Sequence, residues 1–417
     1  MRLSQETTVR ATGIAGIAID VMCHYAYKLW NVCNYERKHY KDMNLKEYPD
    51  WHYQKSAHKD DNQYEILPSQ TAQEVCKVLD EAWKSFYALK KNQSIKNPRP
   101  PRYKHEGIPI TYMQNGMKRM DNGALRLTLS KGLKNFIWLA FGIAVKYIYL
   151  DNVVIKNNDT IKQVKLYPPD ENNECRAIIV YEEATPPQLP DNGRYLSIDL
   201  GINNPFTCYD NAGRSFILGH KYGAISHYYD KEIEHNQKIY AAQQIAEGVK
   251  YPKPSARVLR LYERKRNSLN DYFHKCTNYI ITYCVTNNIN TIVVGDITGI
   301  REDNDHGHMG NQLFHAFPFQ KIYAMLEYKC ALHGIRFEKV KEYYSSQCSP
   351  LSLKVSKRYA KGKQRVQRGL YKEDKTIWNA DAVGAYNILR IFLGRPPQIN
   401  TSGLACLSFP QYIHVAV

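Results

Sequence analysis

Apolar positions recur at helical spacing over the first part of the chain. IAGIAIDVMCHYAYKLWNVCNYERKHY places them every three or four residues, and SQTAQEVCKVLDEAWKSFYALKK repeats the pattern. Residues from about 12 to 92 therefore read as helical, with Ser69 at the N-cap of the second run. The character changes at NPRPPRYKHEGIPITY. Prolines and basic residues there lead into short β-type runs, GALRLTL and AIIVYEEA among them, up to about residue 184. TPPQLPDNG, at 185–193, is Pro-rich and turn-forming and predicts a boundary.

Beyond it, RYLSIDLG predicts a strand, NNPFTCYDNAG a second and RSFILG a third. A helical region follows from about 225 to 289, broken near YPKP at 251–254. TIVVGD predicts a buried parallel strand with an acid, Asp296, at its carboxyl end. FPFQKIYAMLEYKCALHG is a helix that Gly334 stops. IRFEKVKEYY is the next strand. The basic segment SLKVSKRYAKGKQRVQRGLYK then leads into a last helix in NADAVGAYNILRIF. Three meandering strands followed by helix, strand, helix, strand and helix is the element order of the ribonuclease H fold, an α/β class.

Composition narrows the chemistry. The chain has 417 residues, which favours two or more domains. No run approaches the roughly 18 apolar residues of a membrane helix, and the first residues lack a signal-peptide layout. These features predict a soluble protein of the cytoplasm with no membrane partner. The formal charge is +17, from 57 Lys and Arg against 40 Asp and Glu, which predicts a polyanionic partner. None of the 10 cysteines forms a CxxC pair, so reduced thiols are expected and structural zinc is not.

Two acids stand out. Asp199 sits between Ile198 and Leu200 in a central strand, where a carboxylate is costly to bury without a partner or a metal. Asp381 lies in the first turn of the last helix, a place that also suits an acid through the helix dipole. In a ribonuclease H fold that helix brings its acid over the first strand. Such a pair is what a two-metal phosphodiesterase site needs.

SIDLGINN, YCVTNNINTIVVGD, EYYSSQCS and RGLYKEDKTIWNADAVGAYNILR resemble the TnpB proteins, the OrfB-type proteins of bacterial insertion sequences. These are relatives of the type V CRISPR effector nucleases. NPRPPRYKHEG resembles the segment where their wedge domain resumes after a helical recognition lobe. The resemblance is specific over about 190–395. It implies a RuvC-type nuclease domain plus an N-terminal α-helical recognition lobe and a β-rich wedge domain. The implied layout is 1–20 for the start of the wedge domain, 21–98 for the recognition lobe and 99–190 for the wedge domain. The nuclease domain would begin at 191–345. A basic target-binding insertion would fill 346–376, and the last helix and tail 377–417. The implied activity is RNA-guided DNA cleavage with two Mg²⁺ ions, for which Mn²⁺ substitutes. The partners are a guide RNA and a target DNA bearing a short adjacent motif; the oligomeric state stays open.

The chain departs from the family in two places. Family members carry V-E-D-L at the end of the fourth strand, whereas here the stretch is VVGDI, with Gly295 in place of the Glu. Strand alternation turns Asp296 to the opposite face. The fifth strand lies beside the fourth in this fold, so Glu342 is the expected third metal ligand beside Asp199 and Asp381. Asp296 is the fallback, Glu338 a neighbouring competitor, and an inactive site the remaining alternative. Many members also carry a four-cysteine zinc ribbon before the last helix; only Cys348 stands in that interval here.

Charge and aromatic rings interleave in two stretches. Arg99, Arg102, Tyr103 and Lys104 form one; Lys357, Arg358, Tyr359, Lys361, Lys363, Arg365, Arg368 and Tyr371 form the other. Both suit backbone neutralisation and base stacking. His306, His308 and His315 read as part of a loop rather than a metal cluster. Two rival functions remain at this level: a nuclease-dead RNA-guided DNA-binding repressor, and a guide-independent, structure-specific nuclease of the resolvase type.

Overall fold

RLSQETTVR alternates polar and partly buried positions over its whole length, and in the computed structural model it forms strand β1 (Arg2–Arg10). The structure describes the chain apart from residues 12, 46, 93–95, 152, 154–159, 172, 298–315, 361–368, 374–375, 398–400 and 416–417. It divides into two units, Met1–Ala184 and Thr185–Val417.

In the first unit, helices α1 (Ile14–His39), α2 (Trp51–Ala57), α3 (Asn62–Glu65) and α4 (Ser69–Asn92) precede strands β2 (Ile110–Met113), β3 (Met117–Arg119) and β4 (Leu125–Thr128). Helix α5 (Lys131–Phe141) and strands β5 (Tyr147–Leu150), β6 (Thr160–Leu166) and β7 (Glu174–Glu182) complete it. One sheet runs β1-β7-β6-β2 and a smaller one β3-β4-β5. Ile19, Met22 and Leu29 of α1, Leu79 and Trp83 of α4, Leu127 of β4 and Ile179 of β7 share one core. The separation of a helical lobe at 21–98 from a β-rich domain at 99–190 is therefore not reflected in the packing. Each amphipathic face needs cover, and here helix and sheet cover one another.

Helix α1 begins at Ile14, close to the start expected near residue 12. Two local readings change. Helix α5 occupies a stretch read as β-type; Ser130 caps it by accepting from the Leu133 N–H (3.0 Å), and Gly142 closes it at φ 67°. A short apolar run such as FIWLAF does not by itself separate helix from strand. Ser69 is the first helical residue of α4, and the Pro68 carbonyl takes the first helical bond, from Ala72 N–H (3.0 Å).

The second unit opens with the antiparallel meander β8 (Tyr195–Asp199), β9 (Phe206–Asp210) and β10 (Arg214–Leu218). Helices α6 (Tyr222–Ala246) and α7 (Ala256–Thr286) lead to β11 (Thr291–Asp296). Then come helix α8 (Phe319–Leu332), β12 (Arg336–Lys341), the hairpin β13 (Leu370–Glu373) and β14 (Thr376–Asn379), and helix α9 (Ala380–Leu393). A short last strand, β15 (Gln411–Tyr412), extends the sheet beside β10. The sheet order is β12-β11-β8-β9-β10-β15, with β11 parallel to both of its neighbours. Gly334 ends α8 at φ 68°, and Ile335 N–H returns to the Cys330 carbonyl (2.9 Å).

Alternation along the strands supplies two cores. Leu196, Ile198, Ile292 and Val294 pack with Phe273 and Ile280 of α7 and Ile322 and Leu326 of α8. Val293 and Tyr209 point the other way and pack with Val383, Tyr386 and Ile388 of α9. Among the described residues no helix is long and apolar enough to cross a membrane.

Candidate active site

The register of the parallel strands decides which side chains share a face. Val293 of β11 stands opposite Ser197 of β8, and Val294 opposite Ile198. One step on, Gly295 lies beside Asp199. On the other side Gly295 stands opposite Val340 of β12, and Asp296 opposite Lys341. Ser197 Oγ donates to the Ala385 carbonyl of α9 (2.7 Å), so Ser197, Val293, Asp199 and Gly295 all face α9. Val294 points to the opposite face, that of α7 and α8, and strict alternation would send Asp296 the same way.

Helix α9 lies directly on this edge. A Cβ built on Gly384 would collide with the Asp199 carboxylate, and one built on Gly295 would come within 2.9 Å of Ile388 Cδ1. Gly384 and Ile388 thus mark the stripe of α9 that faces the sheet, and Asp381 lies one turn earlier on that stripe. The Asn379 side-chain oxygen caps the helix, accepting from the N–H groups of Asp381 and Ala382 (3.0 Å each). Asp381 Oδ2 accepts from Asn204 Nδ2 (2.8 Å), a residue of the loop that follows Asp199.

Glu342 follows β12 directly, two residues beyond Val340 and on the same face. Its carboxylate curls back over Gly295: a Cβ at 295 would collide with Glu342 Oε2 and lie 3.1 Å from Cδ. That oxygen is buried and has no hydrogen-bond partner among the described residues. Burial, and then the charge of Asp296, push the Glu342 carboxyl up to about 7. Beneath it Tyr323 of α8 donates to the Gly295 carbonyl (2.6 Å) and accepts from Ile297 N–H (3.3 Å), which pins the end of β11. Burial raises the Tyr323 phenol, with the charges of Glu342, Asp296 and Asp199 adding to it. Glu338 is engaged with Arg336 (2.6 Å).

Asp199 and Glu342 therefore flank Gly295 on one face, Asp381 stands at the start of the helix crossing that face, and Asp296, at the end of the strand, is near enough for its charge to raise the Glu342 carboxyl. Carboxylates are the hard oxygen donors that Mg²⁺ takes, and the orphaned Glu342 oxygen is one such donor. Among the described residues no three Asp, Glu, His or Cys side chains close into a cage around a single point. The donor chemistry fits a divalent ion, while the closure of the site is not built into this arrangement.

Asn204, Gly384 and Tyr323 escaped the sequence reading. Gly384 left a signal: a glycine inside a helix costs about 1 kcal/mol against alanine, so something else must favour it. Here that is the close approach of Asp199. Asn204 and Tyr323 left none, because their partners are distant in the chain.

Of the basic candidates, Arg99, Arg102 and Lys104 are exposed in the first unit and Tyr103 is half-buried. Lys357 and Arg358 are exposed on a short 3₁₀ turn of the second unit. Lys361, Lys363, Arg365 and Arg368 lie outside the described residues, as do His306, His308 and His315. Cys348 is buried, and its Sγ donates to the Ser356 carbonyl (3.4 Å).

Comparison with known proteins adds ancestry to this geometry. The family OrfB_IS605, a probable transposase, matches residues 178–301, and the TNB domain of Cas12f1-like proteins matches residues 319–388. No curated protein matches the sequence. Among solved structures, the Cas12f1–sgRNA–target DNA complex shares the fold at a TM-score of 0.58 and 12% identity. That alignment covers 90% of this chain and 82% of that one. The mini-RNA-guided endonuclease CRISPR-Cas_phi3 aligns at a TM-score of 0.47 and 10% identity, over 95% of this chain and 94% of the other. The first family match contains Asp199 and Asp296, the second Glu342 and Asp381, and together with the shared fold they support a TnpB-like protein.

Proposed function

We propose that the chain is an RNA-guided DNA endonuclease with a ribonuclease H-like, RuvC-type nuclease domain in its second unit. The observation that carries this reading is the Glu342 carboxylate, which fills the space left by Gly295 on the face of Asp199. A carboxylate moved from β11 to the adjacent β12 meets the same neighbours as one at residue 295. The sheet order, with α9 laid across the ends of β8 and β11, supports the fold assignment.

In this reading Asp199, Glu342 and Asp381 would hold two Mg²⁺ ions. Bound there, the ions would supply positive charge at the scissile phosphate. The protein's own part is positioning. Parallel pairing sets Asp199 and Glu342 one strand apart from Gly295 on either side, roughly 4.8 Å per strand. Asn204 orients the Asp381 carboxylate through its amide. Hydrolysis adds water oxygen to phosphorus and breaks the bond to the leaving deoxyribose oxygen, which takes up a proton as a hydroxyl. Sequence would be read by guide pairing, while the protein holds the heteroduplex by its backbone and reads a short adjacent motif. The structurally similar Cas12f1 is in complex with sgRNA and target DNA, which supports RNA and DNA as the partners.

The test begins with sequencing the RNA that co-purifies and supplying the matching DNA with Mg²⁺ or Mn²⁺. The unmodified protein is expected to cut; Asp199→Ala and Glu342→Ala are expected to bind and not cut. Binding without any cutting by the unmodified protein selects the nuclease-dead repressor instead. Equal cutting without guide selects the resolvase-type alternative.

A further inference from the structure

The segment 98–108 has no regular secondary structure, yet it is held tightly along α1. Trp30 Nε1 donates to the Arg102 carbonyl (3.1 Å) and Asn34 Nδ2 to that of Pro101 (3.1 Å). Asn31 clasps Lys104 twice, donating to its carbonyl and accepting from its N–H (2.7 Å each). At the far end Ile108 N–H reaches the Cys23 carbonyl (3.2 Å). A strap fixed through its backbone has its side chains free for another use.

Those side chains line a groove of about 740 Å³ together with Lys38 of α1. Lys38 Nζ sits 4.0 Å over the ring of Tyr103, and Lys104 Nζ 5.1 Å over Trp30. Tyr35, one turn before Lys38, is 52% exposed and stacks at 4.4 Å on His39. It is also near enough to Tyr103 to raise that phenol, after burial. None of Lys38, Arg102 and Lys104 forms an ion pair among the described residues. One acid, Glu106, lines the groove as well. By contrast Arg37, next to Lys38, is locked onto Asp80. Two unpaired cations on an anchored strap, a third on α1 and the exposed ring of Tyr35 one turn away describe a receptor for phosphates and an unpaired base.

We propose that this groove binds a single-stranded nucleic-acid segment, with a base stacked on Tyr35 and the adjoining phosphates on Lys38, Arg102 and Lys104. Stacking on Tyr35 needs a base whose face is open, and a duplex keeps its bases stacked inside. The proposal deepens the nucleic-acid reading given above but does not depend on cleavage.

The test uses the full chain, stripped of nucleic acid at high salt and free of divalent ions. Fluorescence anisotropy follows its binding to oligouridine, oligothymidine and duplex DNA over a range of salt. Tyr35→Ala should weaken single-strand binding about five- to a hundredfold and leave duplex binding nearly unchanged. Lys38→Ala should flatten the plot of log affinity against log salt by about 0.7 on single strands. The oligomer on which the Tyr35 effect is larger identifies the strand as RNA or DNA. Wild-type affinity and slope in both folded variants overturn the proposal, as does an equal loss on duplex and single strands. Groove variants that bind normally while Asp199→Ala fails to cut would remove the groove and keep the nuclease. Groove variants that lose binding while the wild type never cuts would do the reverse.

Discussion

Replacing Gly295 by alanine tests the geometry of the site with a single methyl group. In an open strand interior this change stabilises by roughly 0.5–1 kcal/mol, since glycine loses more freedom on folding. At 295 the new Cβ falls on Glu342 Oε2 and within 2.9 Å of Ile388 Cδ1. Both are ends of flexible side chains, so the fold survives. The Glu342 carboxylate has to withdraw by about 1 Å or more to reach an ordinary contact, and a misplacement of that size costs on the order of a hundredfold in rate. At 1.36 kcal/mol per factor of ten this is about 2.7 kcal/mol of transition-state stabilisation. The assay is single-turnover cleavage of guide-matched DNA, with target binding and thermal unfolding measured on the same sample. Gly295→Ala should bind, keep its melting temperature within a few degrees and cut about a hundredfold slower. Gly384→Ala should behave alike, because its Cβ collides with Asp199. Glu342→Ala combined with Gly295→Glu should recover part of the activity that Glu342→Ala loses, since the carboxylate returns to the same face from β11. Asp296→Ala should keep cutting. Normal cutting by Gly295→Ala and Glu342→Ala, with loss in Asp296→Ala, would refute the register argument.

Asn204→Ala removes a side chain that holds Asp381, and single-turnover cleavage should slow about ten- to a hundredfold with unchanged target affinity. Arg37 is fully buried in the first unit, bound to Asp80 (2.7 Å) and Gln54 (2.9 Å). Arg37→Met should cost about 3 kcal/mol in urea unfolding, the low end for a broken buried pair because Lys84 still reaches Asp80 (2.8 Å); a loss below 1 kcal/mol would contradict this. Tryptophan fluorescence reports that unit, which holds Trp30, Trp51, Trp83 and Trp138, four of the five tryptophans. His58 lies between Glu36 (3.3 Å) and Asp61 (2.7 Å), and its hydrogen bond to Glu36, followed by that to Asp61, raises its pKa to about 9 against the cost of burial. A raised value means that its contribution is complete below the ordinary pKa of about 6.5 and fades as pH rises through about 9. The melting temperature of the first unit should therefore fall between pH 6.5 and 9, and His58→Gln should remove that slope.

The strands and helices around the site were legible because their signals are local. TIVVGD is an apolar run of strand length, NADAVGAYNILRIF carries its own cap and an apolar stripe, and Gly334 stops its helix where the pattern breaks. Period-two alternation gives an expectation for which faces Gly295 and Asp296 take, since that needs no knowledge of distant contacts. Helix α5 was missed because FIWLAF satisfies both periods, and only the Ser130 cap and the packing of Leu133 and Ile137 select the helix. The shared core of the first unit was missed because sequence shows which faces are apolar but not which face covers which. The same limit holds at the site. That the Glu342 carboxylate turns back over Gly295 follows from a space left by one strand and filled from its neighbour. That Asn204 holds Asp381, 177 residues away, follows from a helix laid across the sheet edge. Period and capping act within a few residues and are written in the chain; the approach of remote side chains is set by packing, and only the tertiary structure decides it.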